Sequence, residues 1–177
     1  MKSHYSDAPI DTLPQRRTLS VLVDNEPGVL ARIAGLFSGR GYNIESLTVS
    51  ETEHEKHVSR ITIVTTGTAM VIEQIKHQLD RLVPVHRVVD LTAEGGAVER
   101  ELALVKVIGK GDSRSEALRI AAAFGARTLD ATLDSFVFEL TGDSEEIERF
   151  IRVMAGLGLS EVSRTGIAAM SRGAEAL

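Results

Sequence analysis

The residues of this chain whose types and spacing could do chemistry flank one short helix. Asn25-Glu26-Pro27-Gly28-Val29-Leu30 opens it and Arg40-Gly41-Tyr42-Asn43-Ile44 closes it. The first run has the composition of a small anion pocket. Asn25 is a favoured N-cap type, Pro27 suits the first helical turn, and Gly28 lets a ligand approach the main chain. The orphan amides and positive dipole end of the helix would face a carboxylate placed there. Asn43 supplies a second amide side chain, on the same unit or on a symmetry mate. Two plainer readings stand beside this one: Pro27-Gly28 as an ordinary turn, and Asn43 as a left-handed residue after Gly41. The chemistry described binds a small molecule and transforms nothing. No Ser/His/Asp arrangement, paired catalytic carboxylates or activated nucleophile accompanies it.

Other candidate motifs are weaker. Gly109-Lys110-Gly111 precedes a helix but lacks the Walker spacing and the third glycine of a dinucleotide fingerprint. It reads as turn chemistry. His54 and His57, with Glu51, Glu53 and Glu55, could in principle hold a metal at a hairpin tip, but a solvated tip explains the same residues. His77 and His86 stand alone.

Composition narrows the class. The chain has 177 residues, 43% hydrophobic and 25% charged, a net charge of −5, no Trp and no Cys. One domain or two small ones fit that length. The acidic balance argues against a nucleic-acid partner, which requires a basic surface. Without Cys there are no disulfides and no thiolate metal sites. No apolar run approaches the ~20 residues that span a bilayer, and residues 1–16, with Pro9 and Pro14, read as a flexible leader without a signal-peptide core. A cytoplasmic location is the expectation.

The elements that must position the candidate residues follow from periodicity. Leu19, Val21 and Val23 alternate in a strand over 18–24. Val29, Leu30, Ile33, Leu36 and Phe37 make the stripe of a helix over 27–40, ended by Gly39 and Gly41. Strands over 44–51 and 57–65 follow, then a helix from Thr68 with Ile72, Ile75, Leu79 and Leu82, stopped by Pro84, and a strand over 85–91. The order is βαββαβ, the split-βαβ or ferredoxin-like unit. RNA-recognition modules share this order, but they stack bases on aromatics in the central strands, and 19–24 and 57–65 contain none. Thr92–Ala97 reads as a linker, with residues 93–98 dividing a first domain over 17–92 from a second over 99–177. The order then repeats in that second domain. A strand over 101–108 leads to a capping box, Ser113-Arg-Ser-Glu116, opening a helix with Ala117, Ile120, Ala121 and Phe124. A hairpin of 127–132 and 135–141, a helix capped by Asp143, and a closing strand with a tail over 159–170 complete it. In the first unit one sheet face is polar (Ser20, Thr48, Ser50, Arg60, Thr62) and can face solvent or a partner. The fold class is α+β, two ferredoxin-like βαββαβ domains in tandem, and such small cores favour oligomers.

At this level the residues become specific. Ser20-Val-Leu-Val-Asp24-Asn-Glu-Pro-Gly28-Val-Leu30, Gly35-Leu-Phe-Ser38 and Arg40-Gly-Tyr-Asn-Ile-Glu-Ser-Leu-Thr-Val49 closely resemble the small regulatory subunit of acetolactate (acetohydroxyacid) synthase. The likeness continues through Ser59-Arg-Ile-Thr62, Glu73-Gln-Ile75, Val98-Glu-Arg-Glu101, Leu104-Val-Lys106 and Ser171-Arg-Gly173. The resemblance implies an N-terminal ACT domain, a C-terminal ACT-like ferredoxin-like domain and a homodimer through the ACT domains. It implies a subunit that does no chemistry itself but binds and activates a large catalytic subunit carrying thiamine diphosphate, Mg²⁺ and FAD. It also implies feedback inhibition by valine, leucine or isoleucine. Asn25, Gly28, Val29 and Leu30 would hold the amino acid, with Asn43 and Ile44 reaching in from the partner protomer. The second unit has no Asn-x-x-Gly after Val107, so no matching site is expected there. The alternatives are a stand-alone ACT sensor regulating transcription or another enzyme, and a small ferredoxin-like enzyme.

Overall fold

A computed structural model describes residues 13–53, 57–93 and 96–174 of the chain. Residues 1–12 of the 1–16 leader reading, and His54 and Glu55 of the hairpin tip, lie outside the described residues, whereas Gln15 and Arg16 of that leader belong to the first strand. Two compact units meet at Gly96/Ala97. The first contains β1 (Gln15–Asp24), α1 (Val29–Arg40), β2 (Ser46–Glu53), β3 (Val58–Gly67), α2 (Ala69–Asp80) and β4 (Val85–Asp90). The second contains β5 (Ala97–Ile108), α3 (Gly111–Ala123), β6 (Arg127–Ala131), β7 (Ser135–Gly142), α4 (Ser144–Ala155), β8 (Leu159–Arg164) and β9 (Ala168–Ser171). Among the described residues no helix is long and apolar enough to cross a membrane.

Both units form antiparallel sheets with the same permutation, β2-β3-β1-β4 and β6-β7-β5-β8. The register repeats too. Leu19 pairs with Ile63 and Asp90, and Ala103 pairs with Leu140 and Arg164. Alternation fixes which face is buried, because successive strand side chains point to opposite sides. Leu19, Val21, Val23, Ile61 and Ile63 meet Ile33 and Phe37 of α1 and Ile72, Ile75 and Leu79 of α2. In the second unit Ala103, Val105 and Val107 meet Ala117 and Ala121, while Phe136 stacks on Phe138 at 5.3 Å between centroids and Phe150 stands edge-on to Phe138 at 6.4 Å. The small alanines of α3 leave room for those rings, which is how a jigsaw core reaches native density.

Several local expectations need correction. β5 starts at Ala97, inside the proposed linker, because Ala97–Arg100 pairs with β9. The closing segment is therefore two strands, β8 and β9, both on β5. The capping box at Ser113 does not form. α3 begins at Gly111 with Lys110 as its cap residue, and the Ser113 hydroxyl donates back to the Lys110 carbonyl at 3.0 Å. Leu30 leaves the α1 stripe and is 40% exposed; at ~100° per residue it stands about 75° round from the centre of Val29, Ile33, Leu36 and Phe37. The polar face of the first sheet is not uniformly solvated: Ser20 and Thr62 are buried, and Ser20 Oγ, Thr48 Oγ1 and Arg60 Nε have no hydrogen-bond partner. Where caps depend on a side chain adjacent to the helix, expectation holds. Asp143 Oδ1 accepts from the Glu146 amide at 2.8 Å; Thr68, expected only to start its helix, also caps it, its Oγ1 accepting from the Val71 amide at 3.4 Å.

Candidate functional site

The turn between β1 and α1 is built by three tethers on its incoming strand. The Asp24 amide donates to the Pro84 carbonyl at 2.8 Å, and the Asn25 amide donates to the His57 carbonyl at 2.7 Å. His86 Nε2 lies 2.6 Å from Asp24 Oδ1. The Glu26 amide then turns back onto the Asp24 carbonyl at 2.9 Å, and the chain reaches Gly28.

Gly28, not Asn25, is the N-cap of α1. Its φ of 89° is left-handed, and no side chain caps the helix. Only glycine enters that region without a Cβ penalty, so Gly28 takes the cap, the helix starts at Val29, and Pro27 lies in the turn. The Gly28 carbonyl takes the first regular helical bond, from the Arg32 amide at 3.0 Å. The Val29 amide makes only a long 3.4 Å contact with the Glu26 carbonyl, and the next two amides, of Leu30 and Ala31, have no acceptor within the helix. A helix entered through glycine keeps its donors available to an outside acceptor.

The carboxylates around this end have neighbouring partners. Glu26 pairs with Arg32 at 3.2 Å and Asp24 lies against His86, so neither carboxylate stands alone before the exposed amides. Of the four residues expected here, the Asn25 side chain, Gly28 and Leu30 are exposed, whereas Val29 is 7% exposed and belongs to the core. Val29 can offer its amide and not its side chain.

Asn43 and Ile44 lie beyond the other end of α1. The helix closes in a Schellman motif: the Tyr42 amide donates to the Phe37 carbonyl at 3.0 Å and the Gly41 amide to the Ser38 carbonyl at 3.2 Å. The Tyr42 ring stands edge-on to Phe37 at 6.1 Å, the apolar contact that accompanies such a cap. The Asn43 carbonyl accepts from the Thr65 hydroxyl at 2.7 Å, which leaves its side chain exposed, and Ile44 packs half-buried on the core. α1 has 12 residues, and at ~1.5 Å per residue it holds the two groups about 18 Å apart. One chain does not bring Asn25 and Gly28 together with Asn43 and Ile44.

No group of three or more His, Asp or Glu could hold a metal ion among the described residues. The groups with displaced pKa values sit in ion pairs of the second unit. Burial works against the charged Arg164 guanidinium, but the carboxylates of Glu101 and Glu148 outweigh it and raise its pKa. The Lys106 ammonium is raised by its hydrogen bond to Glu161 and by that carboxylate's charge. A shallow hollow of about 170 Å³ lies beside that pair, lined by Leu104, Lys106, Val137, Glu161 and Ser163.

Family comparison gives this geometry its context. Residues 19–87 match the "AHAS small subunit-like ACT domain" family model, and residues 100–173 match "Small subunit of acetolactate synthase". A protein of Archaeoglobus fulgidus described as a probable acetolactate synthase small subunit is 46% identical over 158 residues, 89% of this chain and 98% of its own length. The chain belongs to the acetolactate synthase small-subunit family. The small subunit of Mycobacterium leprae is 45% identical over 156 residues, 88% of this chain and 91% of that one. The crystal structure of the small subunit from Thermotoga maritima superposes with a TM-score of 0.82 at 36% identity, covering 91% of this chain and 99% of the other. The tandem ferredoxin-like architecture is thus that of an acetolactate synthase small subunit with an N-terminal ACT domain.

Sequence reasoning missed the supports of the turn. His57 looked like half of a metal pair, and His86 looked isolated. Their roles depend on which strands become neighbours, and only Pro84 before β4 hinted that a chain reversal would meet the end of β1.

Proposed function

We propose that this small subunit docks on a large catalytic acetolactate synthase subunit, raises its activity and makes it sensitive to a branched-chain amino acid, valine first. The effector lies between the first units of two copies of the chain. Its carboxylate meets the amides at the Gly28 end of α1, and its ammonium is held by the side-chain oxygen of Asn25 or Asn43. Its branched side chain rests near Leu30 and Ile44. The observation that carries this reading is the 12-residue length of α1. Exposed head-group donors at one end and Asn43 and Ile44 at the other meet around one ligand only when a second copy supplies one set.

A charge at a helix N-terminus contributes ~0.3–2 kcal/mol, too little for useful affinity alone, so the two-copy clamp is needed. Coupling of ~1–3 kcal/mol between clamp and enzyme suffices for regulation. Thiamine diphosphate, Mg²⁺ and FAD belong to the large subunit, and this chain contributes binding and coupling without turnover of its own. The test is reconstitution with the large subunit and titration of valine, leucine and isoleucine. Activity should rise on adding the chain and fall with at least one of the three. An equally active mixture with and without the chain would sink the proposal.

A further inference from the structure

Among the described residues one non-glycine residue, His57, has a positive φ, of 51°. It stands where the β2–β3 hairpin returns into β3, one residue before Val58, which pairs with Asp24. Its carbonyl therefore sits opposite Asn25 and receives the Asn25 amide at 2.7 Å. That bond is one more rung of the β1–β3 ladder, added after β1 has ended. The left-handed step leaves the His57 carbonyl aimed at Asn25. The imidazole is exposed. The second unit makes the corresponding rung, from the Gly109 amide to the Asp134 carbonyl at 2.9 Å, with no left-handed residue at Asp134. The strained step is peculiar to the unit whose turn is open to a ligand.

We propose that His57 is a positioning residue for effector binding: its left-handed main chain, and not its imidazole, pins Asn25 and sets the geometry of the Asn25–Gly28 turn. The inference rests on the reading that this turn holds the amino acid. Residue type decides the outcome, because histidine and asparagine enter the left-handed region far more readily than β-branched residues, and glycine enters it freely. The rung itself needs no side chain.

The test uses the complete chain reconstituted with the large subunit, carrying His57→Gly, His57→Asn, His57→Ala or His57→Val. Glycine and asparagine variants should be inhibited by valine at concentrations within about twofold of the wild type. The alanine variant should need more, and the valine variant roughly fivefold more or beyond, since the left-handed penalty falls on the bound geometry. All four should activate the large subunit as the wild type does. Amide hydrogen exchange at Asn25 in the free chain should be slow in the wild type and the glycine variant and fast in the valine variant. If His57→Gly loses inhibition, the imidazole is the acting group and the proposal is overturned. A valine variant as sensitive as the wild type overturns it equally, and if that variant fails to activate, an alanine variant matching the glycine one does the same. A wild type indifferent to all three amino acids while Asn25 exchange still follows the predicted order removes the regulatory reading and leaves only the tether.

Discussion

The two strand-to-helix corners of this chain are built on one plan and finished in opposite ways. In the first unit the Asp24 amide meets the Pro84 carbonyl and the Asn25 amide meets the His57 carbonyl; in the second, the Ile108 amide meets the Gly158 carbonyl and the Gly109 amide meets the Asp134 carbonyl. Beyond those rungs the corners diverge. The first continues through three exposed residues to a left-handed glycine and a helix without a side-chain cap. The second reaches α3 within two residues and fills the corner with its own groups. The Ser113 hydroxyl bonds the Lys110 carbonyl, Lys110 pairs with Asp134 at 3.2 Å, and Arg114 donates to the carbonyls of Thr132 and Leu133. Under the proposed function, the first corner takes its ligand because less of its own chain fills it. Neither α1 nor α3 carries a side-chain cap; the corners differ in the left-handed glycine of the first and in the side chains of Ser113, Lys110 and Arg114 that fill the second.

The sharpest way to break the parallel is at the rung that both corners share. Gly158 has a φ of 100°, and a Cβ there would stand 2.1 Å from the Ile108 carbonyl oxygen, a main-chain atom that cannot yield. Gly158→Ala therefore combines left-handed strain with overpacking and should cost roughly 2–5 kcal/mol. Thermal unfolding should show the second unit melting early while the first retains its transition. Pro84 holds the equivalent place in the first unit, so the requirement for glycine belongs to one corner only. A Gly158→Ala chain as stable as the wild type would mean that this rung is not shared.

The plan also repeats in a buried ion pair whose signs are exchanged. Arg17 of β1 faces Asp90 of β4 at 3.7 Å, and Glu101 of β5 is bonded by Arg164 of β8. Both acids are buried, but their surroundings differ. Asp90 also accepts from the amides of Thr92 and Ala93 at 2.9 and 3.2 Å, whereas among the described contacts Glu101 is reached by Arg164. Removing Arg164 strands a buried charge. Arg164→Met should cost about 3 kcal/mol and Arg17→Met about 1 kcal/mol, read from urea unfolding of the two variants. Equal losses would show that the amides do nothing for Asp90.

Gly28→Asp acts on the open corner. Asp tolerates left-handed φ better than most residues, and a Cβ at Gly28 meets nothing within 4 Å. The fold should lose no more than about 1 kcal/mol, and activation of the large subunit should persist. A fixed carboxylate before the α1 amides would exclude the effector's own, so inhibition by valine should disappear. Full valine sensitivity in this variant would place the site elsewhere.

Much of this contrast was legible in the sequence, though unevenly. The alternation of Leu19, Val21 and Val23 and the steps from Ile72 to Leu79 specify strand and helix locally, so both units and their order follow from periodicity. The absence of an Asn-x-x-Gly in the second unit was likewise plain. Geometry that depends on φ or on distant pairing was hidden. Asn25 has the right type for a cap, but a glycine three residues later takes the role. Ser113 and Glu116 have the spacing of a capping box, but α3 has already begun. β9 shows itself only once Ala97–Arg100 supplies the partner for it. The length of α1 was readable from Gly28 to Gly41, and that helix separates Asn25 and Gly28 from Asn43 and Ile44.

The smallest effect belongs to the open face of the second sheet, the counterpart of the polar face on the first. Lys106 and Glu161 pair there at 2.7 Å. The hydrogen bond from Lys106, and then its charge, lower the Glu161 pKa, while Lys106 is raised by the same partner. A lowered carboxylate contributes stability above its ordinary range and loses it as pH falls through the lowered value. A raised lysine contributes below its ordinary range and loses that as pH rises through the raised value. The pair's contribution therefore spans neutral pH and fades toward both extremes. The Lys106 and Glu161 side chains are 43% and 65% exposed, and pairs open to solvent are screened and offset by side-chain entropy. Lys106→Met should leave the unfolding midpoint at neutral pH where it is in the wild type, with the two curves also coinciding in high salt. A clear drop at neutral pH that vanishes in acid would mean that something covers this face, as Ser20 and Thr62 are already covered on the first sheet.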